Sequence, residues 1–194
     1  MGRKRLAAAA RTLRPLQQGN LDSLCGLYAV INAVQLSLYT HHRLTRAELL
    51  QLFDAGLNVL RRSRGLQSVI LTGMPSPLWH KVSAAVLTRA SAITGYRFEL
   101  VAVPLTDEDT TFMLLRQLRW NLERQRPVLI CIAGRLDHWT VVRRVSRTRL
   151  TLFDSSQHAW LSVRLITLNA PLVADRYNIG RHGVLALRRH DPPP

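Results

Sequence analysis

The stretch Gln17–Asn32, QQGNLDSLCGLYAVIN, changes character at its centre. A polar turn, Gly19-Asn20-Leu21-Asp22-Ser23, gives way to an apolar run with Leu24, Leu27, Tyr28, Val30, Ile31 and Val34, which is how a buried helix begins. Asp22 or Ser23 is the expected N-cap, accepting from backbone N–H groups that lack an intrahelical partner, and Cys25 then falls in the first turn. At that place the free donors and the positive end of the helix dipole favour thiolate over thiol. The same donors can hold the oxyanion formed when sulfur attacks a carbonyl, particularly if a nearby Gln adds its side-chain amide.

A free cysteine among apolar residues is more often a small core residue than a catalyst. A nucleophile needs a base, and the base needs an orienting group. Downstream, Asp137-His138-Trp139-Thr140-Val141-Val142 carries a histidine in a strand-like run, and Leu152-Phe153-Asp154-Ser155-Ser156 carries a carboxylate closing the next run. The order is Cys25, His138, Asp154. Asp137 adjoins His138, but successive strand residues point to opposite faces, so Asp154 is the better orienter. Asp154 is equally a turn former in an Asp-Ser-Ser sequence, and His138 also reads as a satisfied structural residue. His158, four residues beyond Asp154, is the main rival base; His182 is a weaker one. Trp139 reads either as a core aromatic or as a shield over the base–orienter hydrogen bond.

These residues resemble the papain-like cysteine peptidases in the broad sense, closest to compact bacterial peptidases of the C39-like, bacteriocin-processing type. The resemblance rests on a Gln before Cys25-Gly26-Leu27-Tyr28-Ala29, then His138-Trp139, then Phe153-Asp154-Ser155, about a fifth of the chain. It implies that Cys25 attacks, His138 takes the proton, Asp154 holds the imidazole and Gln18 lines the oxyanion hole, with no metal or cofactor. The family's Gln usually stands six residues before the Cys, whereas Gln18 stands seven before Cys25, so the turn carries an extra residue, or Asn20 or a backbone amide takes that role. The function so implied is a thiol hydrolase cleaving peptide or isopeptide bonds. The alternatives are a transglutaminase or deamidase with the same groups, and an inactive basic binding module.

The 194 residues and 47% hydrophobic content suit one globular domain, taken as 17–188, between a basic Ala/Arg-rich tail at 1–16 and a Pro-rich tail at 189–194. The alanine run is too short for a secretory h-region, and no stretch approaches the length of a membrane span. Two cysteines make neither a disulfide framework nor a four-thiolate zinc site; Cys131, within Val128–Ala133, reads as a buried strand residue. Both thiols are expected to be reduced in a cytoplasm, and export as an effector also fits. The net charge is +15, almost all arginine, since lysine occurs only at Lys4 and Lys81. Scattered arginines without an aromatic-basic repeat point away from specific nucleic-acid binding; the expected partner is a protein or peptide substrate, an acidic or a ubiquitin-like one among the candidates.

Periodicity predicts helices from Cys25 to about Tyr39, from a Thr45-Arg46-Ala47-Glu48 capping box, from Leu78 to Ile93, and from Thr106-Asp107-Glu108-Asp109 to Arg124. Residues 65–77 read as a loop, with Val69-Ile70-Leu71 a possible short strand. Strands are predicted at Arg97–Val103, Val128–Ala133, Trp139–Val145, Leu150–Phe153 and Val184–Leu187. Helices first and strands second make an α+β domain, a helical half packed on a mostly antiparallel sheet. The resemblance implies the same plan in its papain-like form.

Overall fold

The computed structural model describes residues 13–19, 22–63 and 66–191. The expected tails at 1–12 and 192–194, the Asn20 alternative and Gly65 lie outside the described residues. The helices are α1 (Cys25–Leu38), α2 (Arg46–Arg62), α3 (Leu66–Thr72), α4 (Ser76–Thr94) and α5 (Thr111–Glu123). The strands are β1 (Arg97–Ala102), β2 (Val128–Gly134), β3 (His138–Val145), β4 (Arg149–Phe153), β5 (Trp160–Ser162), β6 (Ile166–Leu168) and β7 (Tyr177–His190). The chain is α+β, as its sequence order predicts.

The sheet runs β1-β7-β2-β3-β4-β5, antiparallel throughout this path; the short β6 lies parallel to the start of β7. Alternation along the strands assigns the two faces. Phe98 and Leu100 face α4, whereas Val101, Ala186 and Arg188 face α5, so α1, α2 and α4 pack on one side and α5 covers the other. α1 is the centre of the first layer: Leu27, Val30, Ile31, Val34 and Leu38 are fully excluded from water, because the helix is covered by α2, α4 and the sheet. A helix apolar on nearly every side is stable only when so enclosed.

The capping box is present: Thr45 Oγ1 accepts from the Glu48 N–H at 3.3 Å, and the Glu48 carboxylate accepts from the Thr45 N–H at 2.6 Å. Other boundaries differ from expectation for identifiable reasons. Val69-Ile70-Leu71 is helical, as α3, because Val69 is buried against the core and Gly73, at φ +88°, closes the turn with its N–H on Val69 O. Pro75 and Pro77 do not mark a loop; Pro75 is the N-cap of α4 and Pro77 lies in its first turn, where a missing N–H costs nothing. Thr106–Asp109 forms a turn closed by the Asp109 carboxylate on the Thr106 N–H, and Thr110 caps α5 instead. β7 is far longer than Val184–Leu187, since Gly180 and Gly183 weaken its strand pattern in sequence. It reaches His190, so Arg189 and His190 are strand residues rather than tail, and the Arg189 guanidinium donates to Ser37 O at the end of α1.

Candidate active site

Cys25 is the first residue of α1, so its N–H has no carbonyl one turn back within the helix. The expected side-chain N-cap is absent. Leu24 occupies that position, and Asp22 instead organises the preceding turn, accepting from Leu24 N–H through Oδ1 at 3.1 Å and from Gly19 N–H through Oδ2 at 2.8 Å. Ser23 N–H donates to Ile70 O at 2.9 Å, so the end of α3 anchors the loop that delivers Cys25.

Gly26 follows the cysteine because no side chain fits there. A Cβ on Gly26 would stand 2.5 Å from Trp79 Cδ1, and the Trp79 indole N–H donates to Gly26 O at 3.1 Å. Trp139 stacks on Trp79 with ring centroids 4.0 Å apart and planes 5° from parallel. Two indoles thus hold the first turn of α1 against β3. This placement makes Trp139 a packing residue beside Gly26 and Trp79.

The register of β3 and β4 brings His138 and Asp154 together. Val141 pairs with Phe153, so one step further Asp154 comes opposite Thr140, with His138 two residues along the same edge of β3. His138 Nε2 and Asp154 Oδ2 are 2.6 Å apart, with the residues only 6% and 3% exposed. Asp154 Oδ1 accepts from the backbone N–H groups of Ser156 at 2.8 Å and His158 at 3.0 Å. Asp154 is therefore both turn former and histidine partner, each oxygen having its own role. Burial opposes charge on both groups, but the mutual hydrogen bond outweighs it. His138 is pushed up to about 9, helped by a further hydrogen bond that the imidazolium donates to the Cys25 sulfur, and Asp154 lies below the usual carboxylate range. With Nε2 taken by Asp154, Nδ1 is the nitrogen left for the thiol.

The rival histidines stand elsewhere. His158 is exposed, and its ring meets His138 edge-on with centroids 5.5 Å apart; its contribution to the site is its backbone N–H. His182 is exposed and bonded to Arg181. Asp137 is exposed and accepts from Gly134 N–H in the β2–β3 turn, at 3.3 Å.

Gln18 is tied to the same loop. Its N–H donates to Ser155 O at 3.0 Å, its Oε1 accepts from the Ser155 hydroxyl at 3.3 Å, and its Nε2 faces Asp22 O at 3.4 Å. Gln17 is committed instead to Asp154 O, at 3.1 Å. Upstream, the buried Asn32 side chain clamps the Leu16 backbone, accepting its N–H at 2.7 Å and donating to its carbonyl at 3.2 Å. Asn32, Trp79 and Ser155 were missed as positioning residues. Only Asn32, a polar residue in an otherwise apolar helix face, offered a sequence signal.

Cys131 lies on β2 opposite Trp139. Burial, then the nearby Cys25 and Asp137, push its thiol up to about 11. Among the described residues no group of three or more His, Cys, Asp and Glu is placed to hold a metal ion, and no helix is long and apolar enough to cross a membrane. Comparison of the chain with protein-family models, with curated proteins and with solved structures found no match.

Proposed function

We propose that this chain is a cysteine peptidase of papain-like plan, with Cys25 as nucleophile, His138 as proton shuttle and Asp154 as its orienter. The observation that carries the reading is the buried 2.6 Å His138–Asp154 bond with the thiol at the start of α1 on the same imidazole. A histidine held on one side by a carboxylate and on the other by a thiol is the arrangement that thiol acyl transfer requires.

In this reading the one proton shared by Cys25 and His138 rests on the imidazole, raised to about 9, as sulfur attacks the carbonyl carbon. The oxyanion receives the Cys25 N–H and the Gln18 amide, whose one bond through Nε2 among the described residues is the long one to Asp22 O. Collapse of the tetrahedral intermediate expels the amine, which takes the proton from His138. Water, deprotonated by His138, then cleaves the thioester and restores the thiol. The alkylation-prone group would be consumed by peptide or ubiquitin-like probes ending in a thiol-reactive electrophile. Covalent mass addition on Cys25, absent in His138→Ala, is expected; unmodified protein under all probes would count against the reading, and ammonia released from glutamine peptides would replace it with a deamidase.

A further inference from the structure

On the α5 side of the sheet, away from α1, a cleft of about 450 Å³ opens between α5 and the β1–β7 edge. Val101, Val103 and Pro104 form its apolar wall, Arg116 and Trp120 come from α5, and Arg188 from β7; no acidic side chain lines it. Trp120 is 42% exposed and carries the Arg124 guanidinium 3.9 Å from its ring centre, with that of Arg126 at 5.3 Å. Among the described residues none of Arg116, Arg124, Arg126 and Arg188 is in an ion pair, and Arg188 Nε is buried without a hydrogen-bond partner. Glu99, opposite Arg188 in register, does not line the cleft and faces His190 Nε2 at 3.3 Å. Burial and the neighbouring Arg188 and Arg124 lower the pKa of Arg126, as expected where like charges crowd.

We propose that this cleft docks an acidic peptide segment that alternates carboxylates with apolar side chains. The apolar wall and the indole favour such a segment over a bare phosphodiester strand, because a polyphosphate leaves that surface unused. The guanidinium groups supply planar forks matched to carboxylates. β1 is an outermost strand, its outer edge unpaired among the described residues, so an extended segment has backbone partners beside the cleft. That the segment belongs to a substrate rests on the peptidase reading; the cleft's binding does not, since it lies on the face of the sheet opposite α1.

The test is a titration of a fluorescent peptide of alternating Glu and Leu into the full chain carrying Cys25→Ala, followed by anisotropy, with the Gln/Leu peptide and oligothymidylate as competitors. Binding to the Glu peptide is expected, weakened about tenfold or more by Arg116→Gln and by Arg188→Gln, with the Gln peptide failing to compete. Arg116→Gln, on an exposed helix position, guards against a folding failure at Arg188 in β7. No binding, binding unchanged by both substitutions, or oligothymidylate displacing the peptide through the same arginines would each overturn the proposal. Catalytic failure of the wild-type protein with intact binding would instead remove the peptidase reading alone.

Discussion

Gly26 and Trp79 occupy each other's space: the indole fills the position of the missing Cβ and returns a hydrogen bond to Gly26 O. The first turn of α1, and with it Cys25, is set by a residue from α4. Gly26→Ala therefore forces the Trp79–Trp139 stack apart and should destabilise the fold by about 1–3 kcal/mol, read from the denaturant midpoint. Trp79→Phe keeps a ring but removes the indole's hydrogen bond to Gly26 O and part of the stacked surface, and should cost about 1 kcal/mol or more. Both should slow alkylation of Cys25; unchanged labelling in folded protein would mean that the stack does not position the thiol.

Asp154→Ala should lower turnover without abolishing it, since the carboxylate fixes the imidazole and takes no part in bond making. His138→Ala removes the shuttle itself and should cost on the order of 10²–10⁴-fold. Asp154→Asn should retain more activity than Asp154→Ala, because its one amide oxygen still accepts from Nε2–H, although the NH2 in place of the other oxygen cannot accept from the Ser156 and His158 N–H groups. Steady-state kinetics on one peptide checks the order; wild-type turnover by Asp154→Ala would reduce the triad to a dyad.

The paired shifts give the fold a pH signature. His138, raised to about 9, contributes stability that is complete below its ordinary value near 6.5 and is lost as pH rises through about 9. Asp154, lowered, contributes stability present above the ordinary carboxylate range and lost as pH falls through its depressed value. Urea melts across pH should show loss at both ends. In Asp154→Ala the alkaline loss should move to lower pH, and the same shift should appear in the alkaline limb of turnover. An alkaline limb unmoved by Asp154→Ala would assign it to another group.

The two thiols should react at very different rates. Cys131, raised to about 11, remains protonated at neutral pH, and the thiolate is the reactive form. Limited iodoacetamide treatment with mass mapping is expected to modify Cys25 well before Cys131. Equal rates, or Cys131 first, would remove the nucleophile assignment.

Much of this arrangement was legible in sequence, for physical reasons. The apolar run after Cys25 fits a buried helix, and the sixteen-residue separation of His138 and Asp154 is compatible with neighbouring strands. Thr45 and Glu48 announced α2 through their own side chains. What stayed hidden depended on long-range packing. α3 is helical because Val69 finds the core, although its β-branched neighbours favour a strand. Pro75 and Pro77 read as loop markers until α4 is seen to start on them. The partnership of Trp79 with Gly26 spans 53 residues, and that of Gln18 with Ser155 spans 137, so no local pattern could carry either.

Mass-spectrometric profiling of a peptide library with wild type, Cys25→Ala and His138→Ala tests the central claim most directly. Wild type should generate new termini at a reproducible set of bonds, passing through a covalent acyl adduct on Cys25 that acid quenching can trap, and neither variant should cleave. Cleavage persisting in Cys25→Ala, or an adduct mapped to Cys131, would contradict the account.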